Sequence, residues 1–246
     1  MSVPTIVLVH GNFLGPWSWS DVAAKLQDTG MRTVMPDLPS ADPRCQPRGD
    51  LHADAAAVRQ VLDLLQPPVL LCGHSYGGAV ITEAAAGPHP AVRHLVYLAG
   101  AVPDEGDSLT GLTPEPPQGV REQAAVRETG GEAVTIRADG MIELKPGSAL
   151  GALFHDCEPE WAQAAINQLR PSNPATGTQS VTGAAWRDVP ATFVRCRDDR
   201  MPELVSARFS GPSVERVELP TGHCPNWSRP DLVADGLASI AKRILA

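Results

Sequence analysis

Val69-Leu70-Leu71-Cys72-Gly73-His74-Ser75-Tyr76-Gly77-Gly78 runs from a continuous apolar stretch, through a turn, into a segment of small residues. Residues 69–73 suit a central strand buried on both sides, and the small-residue segment after Ser75 reads as a helix. Between them stands a Gly-x-Ser-x-Gly pentapeptide. A strand-to-helix turn this tight accepts small residues at Gly73 and Gly77 and holds the serine side chain clear of the backbone at the sheet edge. The helix that follows aims its unpaired N–H groups and positive end at the place where negative charge develops on a reacting carbonyl. A plainer reading makes Ser75 a helix N-cap. The rest of the chain decides between the two.

Outward from this point, short β-rich runs alternate with amphipathic segments, which predicts a parallel sheet covered by helices on both faces. Strands are expected at Thr5–Val9, Arg32–Pro36, Val69–Gly73, Val92–Ala99, Ala191–Cys196 and Val214–Leu219. Helices are expected at Ser20–Gln27, at Asp54–Leu65, after Ser75, at about Pro202–Ser210 and at Pro230–Leu245. In Asp54–Leu65 the positions Ala56, Val58, Val61, Leu62 and Leu65 are spaced for one buried face. From about Pro103 to Trp186 the alternation stops and strand-like runs disappear. Glu158–Leu169, opened by Asp156 and Pro159, is the clear helix there. The expected organisation is a core over residues 1–104, a cap insertion over 105–187 and a second core segment over 188–246.

With 246 residues, 43% hydrophobic and 20% charged, the chain has the balance of a globular protein with a sizeable core. A net charge of −8 and no run of Lys or Arg argue against nucleic acid or anionic lipid as partners. No apolar run reaches membrane-spanning length and the first strand lacks the flanks of a signal peptide, so a cytoplasmic location is expected. Five cysteines, odd in number and without a Cys-x-x-Cys, read as free thiols, with Cys72 and Cys196 buried in strands. No metal or organic cofactor is expected. The expected partner is a small-molecule ester substrate, with the chain a monomer or a homodimer.

A serine hydroxyl needs a base, and the base needs a third group to fix its tautomer. Of seven histidines, His223 is best placed, on a loop after the last strand. His10 suits a role in orienting the loop after the first strand, and His74 should point away from Ser75. The acid should come at the end of the strand preceding the histidine, where Asp198 and Asp199 compete. Successive side chains diverge, so one of them reaches His223. His10-Gly11-Asn12-Phe13 matches a loop whose backbone N–H joins that of the residue after the serine, which makes Asn12 and Tyr76 the oxyanion-hole candidates. Gly11, Phe13, Phe154 and Trp186 are candidate substrate-binding residues; Leu153, Phe154, Trp161 and Trp186 either line an apolar pocket or pack in the cap core.

His10-Gly11-Asn12-Phe13-Leu14-Gly15-Pro16-Trp17-Ser18-Trp19 and Gly73-His74-Ser75-Tyr76-Gly77-Gly78 resemble the opening loop and elbow of the small α/β-hydrolases related to plant methylesterases and hydroxynitrile lyases. His94 through Ala99 with Val102 through Gly106, Phe154-His155-Asp156-Cys157, Leu169-Arg170-Pro171 and Cys196-Arg197-Asp198-Asp199 carry the same resemblance. It implies an α/β-hydrolase fold, a mainly parallel sheet of about six strands with a small cap over the serine. It favours Asp199, three residues after the cysteine, while the short connection Arg200-Met201-Pro202 leaves Asp198 open. Asn12 stands where the family has a small residue; its amide either narrows the acyl pocket or donates a further hydrogen bond. The cyanide-releasing relatives carry a lysine after the histidine and a threonine in the first loop, where this chain has Cys224 and Gly11, so lyase activity is not expected. Haloalkane dehalogenases require an aspartate at position 75. The expected function is a serine carboxylesterase acting on a small or medium ester. The alternatives are a lactone- or thioester-processing tailoring enzyme and a non-catalytic ligand-binding scaffold.

Overall fold

The computed structural model describes residues 4–113, 133–211 and 213–244. In chain order the strands are β1 (Thr5–Val9), β2 (Arg32–Val34), β3 (Val69–His74), β4 (Val92–Leu98), β5 (Val134–Ile136), β6 (Ile142–Leu144), β7 (Ala191–Cys196) and β8 (Val214–Leu219). The helices are α1 (Ser20–Asp28), α2 (Leu51–Asp63), α3 (Gly77–Ala84), α4 (Leu109–Leu112), α5 (Pro146–Ala152), α6 (Pro159–Ile166), α7 (Ala175–Thr178), α8 (Pro225–Ser228) and α9 (Pro230–Arg243). The expected continuation of the last helix to Leu245 lies outside the described residues.

Six strands form one parallel sheet in the order β2-β1-β3-β4-β7-β8. Strand alternation divides the core between its two faces. Val7, Val9, Leu71, Leu95, Tyr97 and Phe193 pack with α2 and α3, whereas Ile6, Leu8, Leu70, Cys72, Val96 and Leu98 pack with α1 and α9. Both faces of β1 and β3 are therefore buried, which is why their sequences read as unbroken apolar runs. The chain leaves β1 for the edge strand β2, then returns to place β3 on the other side of β1. Loops from the carboxyl ends of neighbouring strands meet at such a reversal, where open α/β sheets bind ligands.

Four expectations change. Helix α2 begins at Leu51, with the Asp50 side chain accepting the Ala53 N–H at 2.9 Å as N-cap. Its buried face is Leu51, Asp54, Ala55, Val58 and Leu62, and Ala56 is exposed. Residues 202–210 form no helix. Val205 instead makes a parallel bridge to Val102, which takes up backbone groups that a helix would use internally. The segment after β4 does contain strands, because β5 and β6 pair antiparallel around a turn at Asp139-Gly140, with Gly140 at φ +79. Asp-Gly flanked by β-branched residues is a hairpin signal in its own right. Asp156 does not cap α6: the N-cap is Glu158, without a side-chain bond, followed by Pro159.

Leu14, Ala149, Leu153, Phe154, Ala162, Ala165 and Cys224 form a third cluster, which seats α5 and α6 on the loops that follow β1 and β8. Among the described residues no helix is long and apolar enough to cross a membrane. All five cysteines are free, with Cys72 and Cys196 buried in β3 and β7.

Candidate active site

Ser75 follows β3 directly and has φ +53, the left-handed region. A non-glycine residue there costs about 1–3 kcal/mol, which the packing around the elbow has to offset. The turn is closed by contacts that only hydrogen permits at its flanks: a Cβ on Gly73 would collide with the Gly77 carbonyl, and one on Gly77 would lie 2.6 Å from the Val9 carbonyl oxygen. The sequence thus forces the serine outward by crowding everything behind it.

His223, on the loop between β8 and α8, places Nε2 2.9 Å from Ser75 Oγ and Nδ1 2.8 Å from Asp199 Oδ2. A carboxylate can only accept, so Nδ1 carries the proton and Nε2 presents its lone pair to the serine hydroxyl. The imidazole side chain is 6% exposed and the Asp199 side chain 16%. The other oxygen of Asp199 accepts the Met201 N–H at 2.7 Å, which fixes the carboxylate plane. Asp198 points away and pairs with Arg197 at 3.2 Å in solvent. The structure brings Ser75, His223 and Asp199 together and leaves Asp198 out.

Two further histidines support this array from behind. His74 is fully buried, and its Nε2–H donates to the His223 carbonyl at 2.8 Å. Burial, and then the neighbouring His223, push its pKa down to about 3, so it is a neutral donor. His10 Nε2 accepts the Leu38 N–H at 3.3 Å, which leaves Nδ1–H to donate to the Gly11 carbonyl at 2.9 Å. It thereby orients the loop after β1.

That loop carries Asn12 and Phe13, the latter at φ +64. Among the described residues neither the Asn12 nor the Tyr76 backbone N–H has a protein acceptor. The Asn12 side chain does not reach into the pocket as a free donor. It accepts from Ser172 Oγ at 3.0 Å and donates to Thr176 Oγ1 at 3.3 Å. Ser172 in turn exchanges two backbone bonds with Ile142 of β6. Arg170 completes the link, its N–H bonded to the Phe13 carbonyl at 2.9 Å and its guanidinium to Asp37 at 2.7 Å. Burial works against ionising Asp37, but its surroundings, the Arg170 guanidinium among them, outweigh it and hold the carboxyl below its usual value.

Tyr76 faces the opposite way and anchors the elbow. Its hydroxyl donates to Asp54 Oδ2 at 2.7 Å, and Asp54 also accepts the Ser40 N–H and hydroxyl at 2.8 and 2.6 Å. Burial raises the Asp54 carboxyl above its ordinary value even with these donors around it. Sequence patterning missed Asp54 because an acidic residue is counted on the solvent face of a helix; the helix register starting from Asp50 was the available signal.

The array opens into a cavity of about 330 Å³ whose walls include Phe13, Leu144, Leu153, Phe193, Met201 and Leu204. Arg195 at its rim is neutralised by Glu203 and Glu218. Of the expected substrate-binding residues, Phe13 is on this wall. Gly11 lies beneath it, where a Cβ would come within 2.9 Å of Ser75 Cβ. Phe154 and Trp186 do not line it. Phe154 is packed in the third apolar cluster, and Trp186 meets Phe209 edge-to-face while its indole N–H donates to the Pro103 carbonyl. Trp161 is half-exposed against Trp227. No cluster of three metal-ligating side chains occurs among the described residues.

A family model described as the alpha/beta hydrolase family matches residues 6–236. The alpha/beta hydrolase nvfD of Aspergillus novofumigatus is 33% identical over 250 residues, 95% of this chain and 94% of its own. The carbendazim hydrolyzing esterase of a Nocardioides species is 40% identical over 118 residues, 46% of this chain and 49% of its own. Plant methylesterases match more distantly. Among solved structures, a pyrethroid hydrolase from Sphingobium faniae superposes with a TM-score of 0.78 at 21% identity, covering 98% of both chains.

Proposed function

The chain belongs to the alpha/beta hydrolase family, and from that premise we propose that it is a serine carboxylesterase in which Ser75 is the nucleophile, His223 the base and Asp199 the acid. One observation above all supports the reading: an unbroken hydrogen-bonded chain from Asp199 through His223 to Ser75 Oγ, opening into an apolar cavity. Relatives named as esterases and hydrolases support the reaction class.

In the first half-reaction Ser75 Oγ attacks the ester carbonyl as its proton passes to His223 Nε2. The Asn12 and Tyr76 N–H groups receive the oxyanion, each such donor contributing on the order of 3 kcal/mol in known acyl-transfer sites. His223 then protonates the departing alkoxide, leaving Ser75 acylated. In the second half, water loses its proton to His223, attacks the acyl carbon and releases the acid, and Ser75 recovers its proton. Asp199 holds the imidazole in the required tautomer throughout. The substrate is a neutral ester with apolar groups, because the cavity wall offers it no free charge among the described residues.

Ser75→Ala tests the assignment against a panel of p-nitrophenyl esters graded by acyl size, with mandelonitrile beside them. Loss of ester cleavage by about 10⁴-fold or more, and no cyanide release by the wild type, is expected. Near wild-type hydrolysis by the variant would exclude Ser75, and ligand binding without turnover by the wild type would favour a receptor.

A further inference from the structure

Two consecutive cap residues grip the loops of the acid and the base without facing the cavity. His155 Nε2 lies 2.9 Å from the Asp198 carbonyl oxygen; a carbonyl only accepts, so this nitrogen carries the proton and donates. The next carboxylate, Asp156, accepts the Gly222 N–H at 2.7 Å and the Ser228 hydroxyl at 2.8 Å on a single oxygen. Asp198 directly precedes Asp199, and Gly222 directly precedes His223. The His155–Asp156 step therefore spans the two loops whose separation sets the His223–Asp199 contact.

Gly222 makes the grip possible. A Cβ there would stand 2.5 Å from His155 Cε1 and 2.7 Å from Asp156 Oδ1, so any larger residue would push the pair off the backbone it holds. On its other side His223 is held at its own carbonyl by His74. The residue is thus fixed before and after its Cα, from the cap and from the core. Bonds to a carboxylate are charge-assisted and about twice as strong as neutral ones, which suits Asp156 to fixing the position of a loop.

We propose that His155 and Asp156 are positioning residues that set the distance between the base and acid loops. The proposal rests on the reading of Ser75, His223 and Asp199 given above. Since neither side chain touches the cavity, their loss acts on kcat and leaves KM in place. Misplacing a reacting group by about 1 Å can cost about 100-fold in rate.

The test compares wild type with Asp156→Ala, Asp156→Asn, His155→Ala, His155→Gln and Ser75→Ala on a short p-nitrophenyl ester. Rates are corrected for the fraction of enzyme that titrates with a phosphonate. The low-field proton resonance of the His223 Nδ1–H is recorded alongside thermal melts. Asp156→Ala is expected to lower kcat by about 30- to 100-fold, with KM within about twofold, and to weaken or broaden the low-field proton. Asp156→Asn keeps an acceptor for Gly222 and His155→Gln keeps a donor for Asp198, so each should lie within about fivefold of wild type. His155→Ala supplies the same contrast if Asp156→Ala does not fold. A folded alanine variant with wild-type kcat per titrated site and an unchanged low-field proton overturns the proposal, as does failure of the conservative variants to rescue. Activity retained by Ser75→Ala would instead overturn the esterase reading, which the cap variants do not address.

Discussion

Asp198 and Asp199 are chemically identical neighbours, and their different fates come from the bend after β7. The Asp199 N–H turns back to the Cys196 carbonyl at 3.2 Å, which swings one carboxylate toward His223 while Asp198 stays with Arg197 in solvent. Asp199→Asn should lower kcat by about 10⁴-fold, since an amide donor facing Nδ1 favours the wrong tautomer. Asp198→Asn should change it by less than about threefold, an exposed pair being worth about 1 kcal/mol or less. Steady-state kinetics of the two variants on one ester gives the comparison. At this scale the positions of Ser75 and His223 were legible because each follows a strand in a recognisable turn. The choice of acid was not, because it depends on which way one loop folds back. Asp54 and Asp156 were hidden for a related reason: their partners, Tyr76 and Gly222, are distant in sequence.

Among the elements, the strands of the main sheet, the short β2 included, were readable, and the short elements β5, β6, α4, α5 and α7 between β4 and β7 were not. β1, β3, β4, β7 and β8 stand where apolar or alternating runs put them, with ends shifted by a residue or so. The segment 202–210 shows the limit. Leu204, Val205 and Phe209 have a spacing tolerable in a helix, yet all three reach the core from an extended path pinned by Val102. Tertiary pairing overrode a weak local preference. The α2–elbow contact is also an element-scale matter, because Asp54 joins α2, the Ser40 turn and the start of α3 through three hydrogen bonds. Asp54→Ala strands three donors in a buried space and should lower stability by about 2–4 kcal/mol. Urea unfolding read from the tryptophans measures it.

The molecule as a whole carries buried bases that resist acid. Burial first of all pushes His74 to about 3 and His94 to about 4, against 6.5 for both when free. Below pH 6.5 the unfolded chain takes up protons that these two sites refuse, so stability falls as the pH drops toward 4 and the His94 contribution levels off below that. Each contributes a slope of at most about 1.4 kcal/mol per pH unit. His94, bonded through Nε2 to Thr192 on the face away from the serine, is the site to change. His94→Gln should flatten the pH dependence of the melting temperature between pH 6.5 and 4 relative to wild type. Circular-dichroism melts across that range would show it.

The crowding behind the elbow has a consequence for how the chain tolerates change over generations. Gly73 and Gly77 are walled in by backbone atoms, which cannot rotate aside as a side chain can. Substitution there is expected to remove the folded molecule, whereas substitution at Ser75, the proposed nucleophile, is expected to leave a folded molecule without its reaction. Both would vanish from a population selected for activity, for unrelated reasons. Invariance across such a pentapeptide would therefore be a mixture of two signals, and only the level of protein in the cell would separate the residue proposed to react from the residues that make room for it.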